Sequence, residues 1–297
     1  QVRVERTTFS SSSEAGVGSN GEGTSVTLID SVVRDNRFLG NDATAVGARL
    51  GGKMQISGTA VVDNQHRAMH SVEGGQMVIE RSLIQGTVSA STAKESRAVE
   101  VFKGCASFTN VSIVRNSMLG VLVGEATCPV TMDRVLLGQT IPKPNGRRGW
   151  GVSVQNSQLV MQNSALFDNC EVGFFVYGSA RVSVNQSSVS GTQKTSDGYY
   201  GIGLFGLAGT FTQVTHTDVR DSQGVGLFFD GASATVFDSF VSNNVIGLHP
   251  QHGSLLKVEA SAPAVPAALV VSVGESTQFN GNESRLGSGE YPVPDPF

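Results

Sequence analysis

The sequence predicts an all-β parallel solenoid of about ten three-strand coils, short and long in alternation. Three observations carry that prediction. An apolar residue closing a short strand recurs at Val4, Leu28, Ile56, Ile79, Phe108, Met132, Met161, Val184, Val214 and Val236. The spacings between these anchors are 24, 28, 23, 29, 24, 29, 23, 30 and 22, so long and short copies alternate throughout. Composition is skewed to 36 Gly with many Ser, Val, Asn and Thr and few Lys, Glu and Leu, which favours strands and turns over helices.

The elements of one copy follow from its columns. Apolar residues at the anchor and two positions before it form a first short strand with period two. Three residues past the anchor stand Ser31, Thr59, Ser82, Val111, Ser164, Ser187 and Thr217, and five past stand Val33, Val61, Ile84, Ile113, Leu166 and Val189. These build a second strand, with two outward residues as the corner between. Seven past the anchor the residue is repeatedly Asp or Gly (Asp35, Asp63, Gly86, Asp168, Gly191, Asp221). Eight past it is Asn or a hydroxyl (Asn36, Asn64, Thr87, Asn116, Thr140, Asn169, Thr192, Asn244). Asp, Asn and Gly tolerate the left-handed region, so the chain turns again there, and the Asn column is read as turn residues bonding backbone across coils. A third strand follows, in stretches such as "GVLV", "GFFV" and "GLFF". Each copy is thus one three-sided coil. Coils about 4.8 Å apart bury their inward faces only against neighbours, so an array is required. Ten coils make a rod of roughly 45–50 Å. A β-propeller is rejected, because its blades need about 40–45 residues in four strands.

In copies such as "QLVMQNSALFDNCEVGFFVYG" the chain resembles the right-handed parallel β-helix of the pectate-lyase-like superfold. In texture it is similar to the β-helix repeat proteins of myxobacterial-type cell surfaces. The resemblance spans roughly residues 1–250 and supplies the handedness. It implies an architecture more than an activity, since one fold hosts many functions. Residues 251–297 are rich in Pro and Gly around "AALVVSV", and are expected to form a C-terminal cap or an extended tail.

The long copies place their extra residues at one corner, near 37–45, 88–98, 141–151 and 193–203. These loops form a row with a member every second coil, about 10 Å apart. They carry Trp150, Tyr199, Tyr200, Lys94, Arg97, Arg147 and Arg148, with Glu95 and Asp197. Aromatic faces beside bidentate donors suit sugar rings and their carboxylates, so these are candidate ligand-binding residues. The alternative is that the aromatics fold back over the loop bases. A second candidate surface is the outward column of the third strands, His70, Glu100, Leu122, Ser153, Phe175, Phe205, Phe228 and His249. Left open, Phe175 and Phe228 belong to an apolar interface stripe. Covered by loops or by the C-terminal segment, they are structural.

Catalytic signals are weak. The superfold's lyases imply an acidic calcium cluster with an Arg or Lys base, and its glycosidases imply clustered aspartates. "GHG", "RIK" and "DPHD" are absent. Asp35 and Asp63 share a column on adjacent coils, about 5 Å apart, which suits a retaining glycosidase pair. Asp recurs in that column, so a turn role competes. "HRAMH" (66–70) and "HPQHG" (249–253) lack a helix to present them, and no cofactor or metal is expected. Cys105 and Cys128 lie on neighbouring coils within disulfide reach; a bridge implies an oxidising compartment, and free thiols are the alternative. A net charge of −4 leaves no footprint for nucleic acid. No apolar run reaches the ~20 residues of a membrane span. The expected function is therefore a non-catalytic extracellular or cell-surface module binding a polysaccharide or a surface protein. The alternative is a polysaccharide lyase or glycoside hydrolase working beside the loops.

Overall fold

The computed structural model describes the chain except residues 14, 38–43, 90–94, 144–145, 261–268, 288 and 295–297 and the side chain of Ala15. Three parallel sheets of 12, 11 and 11 strands run its length, here called A, B and C in the order each coil visits them. No helix occurs among the described residues. The anchor column is in register throughout sheet A: Leu28 pairs with Ile56, Ile79 with Phe108, and Met161 with Val184. The chain is a right-handed parallel β-helix.

Both corners flanking sheet B rest on left-handed backbone. Two residues past each anchor, φ is positive in all ten coils, at Arg6, Asp30, Gly58, Arg81, Asn110, Arg134, Asn163, Gln186, His216 and Asp238. Side chains as unsuited to this region as Arg and Gln adopt it because the neighbouring coil rewards it. The amide of Arg81 donates to the carbonyl of Thr109, and that of Gln186 to Thr215, closing the corner across coils. The second column of positive φ is the Asp/Gly column, from Ser11 and Asp35 to Asn243. Where Gly follows Asp in this column there is a steric cause. Asp63 leans over Gly86 and Asp168 over Gly191, so that a Cβ on either glycine would stand 2.2 or 2.3 Å from the carboxylate oxygen.

Many of the polar residues that face inward are held in ladders, although the hydroxyls of Thr87, Thr192 and Ser222 make no hydrogen bond among the described residues. Asn64 accepts from the amide and side chain of Asn36 and donates to the carbonyls of Val33 and Val62, at 2.8–3.2 Å. Asn116 repeats this on Thr87, Ile84 and Val114. A second ladder lines the corner between sheets A and B. Ser31, Ser82, Ser164, Ser187 and Ser239 each accept an amide of the preceding coil and donate to the carbonyl two residues back. Between the ladders runs one continuous, mostly aliphatic core, from Val26 and Leu28 to Val271 and Val273.

The sheets continue past residue 250. Val270–Gly274, Gln278–Asn280 and Ser284–Leu286 add an eleventh coil, pairing with sheets A, B and C in turn. The strand Leu255–Glu259 stacks outside Val270–Gly274 and becomes the last strand of sheet A. Cys105 and Cys128 join neighbouring coils as a disulfide, with Cα atoms 5.6 Å apart.

Candidate binding face

The loop row meets sheet C along one edge, and there the structure gathers most of the charged and aromatic residues singled out from the sequence. The described parts of these loops are stitched together by ion pairs rather than presented singly. Glu95 bridges Arg97 of its own coil at 2.6 Å and Arg148, two coils further on, at 2.7 Å. Arg147 reaches the other way to Asp197 in the next long loop, at 3.0 Å. Arg97 also pairs with Glu100 at 2.7 Å, and Glu100 with Arg67 at 2.5 Å. The result is a charged crest running from coil to coil along the rod. Arg67, Arg97 and Glu100 are largely buried, whereas Arg147 and Asp197 stand at the crest, about half exposed. Asp197 is held below the usual carboxylate range, first by the Thr195 hydroxyl and then by Arg147. Lys94 lies outside the described residues.

Glu171 is the acid that the sequence reading missed. It occupies a short coil between two long loops, with φ of 69°. Its carboxylate accepts the amide of Arg148 at 2.5 Å, and the side chain of Trp150 lies close enough to favour its charged form. Burial pushes its pKa above the ordinary carboxyl value, against the opposing pull of those groups and of Arg147 and Arg148. No repeat column marks it, because its neighbours come from loops 20 to 30 residues away on either side. The preceding Cys170 is buried and free, and desolvation raises its thiol to about 11, far from a reactive thiolate.

Several sequence expectations are corrected here. Trp150 is fully buried and is no loop-tip platform: it is the first residue of a sheet C strand and packs edge-on to Phe175 at 4.7 Å. Phe175 and Phe228 do point outward from the sheet, in register with Phe205, but all three are fully buried. They stack at 5.1 and 4.6 Å and build a second hydrophobic core outside the β-helix. Tyr200, Leu207, Tyr291 and Val293 pack against it. The covered reading of this stripe holds, because stacked aromatic faces cost too much left in water. Asp35 and Asp63 sit exposed on the corner after sheet B with φ of 54° and 53°, as turn residues. Of the aromatics named from the loops, Tyr199 stands out, 52% exposed, while Tyr200 is half-buried and its carbonyl accepts the hydroxyl of Tyr291.

His66 and His70 are buried, His70 over Gly47, and His249 lies edge-on to Phe228. Among the described residues, no three His, Cys, Asp or Glu side chains converge as a metal-holding group.

Compared with solved structures, the chain superposes on the crystal structure of pectate lyase Pel9A with a TM-score of 0.56, at 13% identity, over 91% of this chain and 71% of that one. The chain has the pectate-lyase-like β-helix fold. At this identity the likeness concerns the fold alone. No protein-family model and no curated protein matches the sequence. No helix among the described residues is long and apolar enough to cross a membrane.

Proposed function

We propose that this β-helix is a non-catalytic extracellular or cell-surface module that binds a polysaccharide along its loop crest. One observation carries the reading: Tyr199 stands exposed beside the Arg147–Asp197 pair, on a crest whose loops are joined by ion pairs. An aromatic face stacks on a sugar ring, and an arginine–carboxylate pair offers both donors and acceptors to vicinal hydroxyls. Loops two coils apart repeat about every 10 Å, so a polymer lying along the rod meets the crest more than once. Pre-formed pairs lower the ordering cost of binding. Phe175, Phe228 and Trp150 support this site from beneath and take no part in contact. The test is retention of the protein on an array of neutral and acidic polysaccharides. Tyr199→Ala and Arg147→Ala are expected to reduce retention at least about ten-fold, one lost contact of ~1.4 kcal/mol. Equal retention by both variants refutes the site.

One observation favours a second reading, a lyase or glycosidase. Glu171 is a carboxyl inside the crest whose pKa burial raises, the direction a general acid needs. A screen for unsaturated or reducing-end products, with Glu171→Gln as control, separates the two readings.

A further inference from the structure

The segment 290–294 crosses the outer face of sheet C as a strap. Pro292 and Pro294 have no amide to donate, so one edge of the strap offers no ladder donors. It is held instead by side chains of the β-helix. The Gln251 carboxamide grips the backbone of Tyr291 on both sides, accepting from its amide at 2.9 Å and donating to its carbonyl at 3.3 Å. The Tyr291 ring packs edge-on to Phe228 at 5.6 Å and beside His249 at 5.9 Å, at the end of the aromatic stack. Its hydroxyl donates to the Tyr200 carbonyl at 2.9 Å, and burial pushes its pKa up to about 12. Val293 packs on the same core and Pro294 is buried. Gly224 makes room for that hydroxyl, since a Cβ there would stand 2.5 Å from it.

We propose that this end of sheet C is a docking groove for an extended peptide of the form aromatic–Pro–apolar–Pro, and that the strap is its occupant within the chain. Every recognition group belongs to the strands or loops of the β-helix: Gln251 and His249 in one strand, Phe228 in the strand before, and the Tyr200 carbonyl. Two of its features are those by which proteins read extended ligands. One is bidentate pairing of a side-chain amide with main chain. The other is an aromatic slot for a proline-stiffened segment, which gives up little entropy on binding. A groove built in this way also accepts the same peptide from another chain, in competition with the strap. The tethered strap competes at an effective concentration in the millimolar range, so the wild-type groove is closed to weak ligands. This inference is independent of the polysaccharide reading, which concerns the crest.

The test uses the full chain and a fluorescein-labelled peptide Glu-Tyr-Pro-Val-Pro, read by anisotropy. Tyr291→Ala removes the anchor of the strap and is expected to bind the peptide at least ten-fold more tightly than wild type. The same peptide with Ala for Tyr is expected not to bind, and Gln251→Leu added to Tyr291→Ala is expected to abolish binding. A folded Tyr291→Ala protein that ignores the peptide overturns the proposal, as does wild type binding it equally well. Should Tyr291→Ala fail to fold, wild type carries the test. Millimolar free peptide is expected to accelerate hydrogen exchange at the Tyr291 amide at least several-fold by displacing the strap, and an unchanged rate refutes the groove.

Discussion

Replacing Asn64 by alanine tests the account of what sets the coils in register. The side chain makes four hydrogen bonds in a fully buried corner. Alanine leaves the amide and the carboxamide of Asn36 without their acceptor, and the carbonyls of Val33 and Val62 without this donor. A buried donor left unpaired costs about 1–3 kcal/mol, so two of them predict a loss of about 3 kcal/mol. For a chain of this length that lowers the melting midpoint by roughly 5 °C. Because coils interact with nearest neighbours, the loss concentrates locally, and exchange at the Asn36 amide is expected to accelerate most. Asn64→Thr is expected to cost clearly less, since Thr87, Thr140 and Thr192 occupy the same column in other coils. Denaturant unfolding and hydrogen exchange give both numbers. A cost under about 1 kcal/mol for Asn64→Ala, or exchange unchanged at Asn36, refutes the ladder as a stabilising device.

Phe205 lies between Phe175 and Phe228 with no exposed surface, and Phe205→Ala is expected to destabilise by about 3–5 kcal/mol in urea unfolding; a loss below 1 kcal/mol denies the second core. Glu171 gives a pH dependence of definite sign. Its folded pKa is raised by burial, so its contribution is fully present below the ordinary carboxyl value and is lost as pH rises through the raised one. Wild type is therefore expected to lose stability relative to Glu171→Gln across that window, and parallel stability–pH curves contradict the burial argument. Thiol titration of the denatured, unreduced protein is expected to count one reactive thiol, from Cys170; a count of three disproves the Cys105–Cys128 bridge.

The fold was legible because the repeat is a physical necessity. A coil buries its inward face only by presenting equivalent residues to its neighbours, so Leu28, Ile56 and Ile79 recur and the spacing between them exposes the loops. The Asn column was legible as a corner for the same reason. Its companion of serines was less so: Ser31 and Ser164 read as small inward residues, and their bonds to the preceding coil emerge only when two coils are stacked. The left-handed corner two residues past the anchor left only a partial trace in residue type: Asp30, Gly58, Asn110, Asn163 and Asp238 suit it, whereas Arg6, Arg81 and Gln186 adopt it with a hydrogen bond to the next coil.

The sequence by itself determined the coil, its three strands, the corner where the loops project and which residues stand on the outer side of sheet C. Whether an outward residue meets solvent was decided by tertiary structure alone. Period-two alternation says which way Phe175, Phe205 and Phe228 point, but what lies over them comes from residues as distant as Tyr200 and Tyr291. Burial is a property of everything packed around a side chain, and that information is not local in the chain. The same holds for the charges: Glu95, Arg147, Arg148 and Asp197 are read singly as solvated groups, and only the stacking of alternate coils brings Glu95 to Arg148 and Arg147 to Asp197.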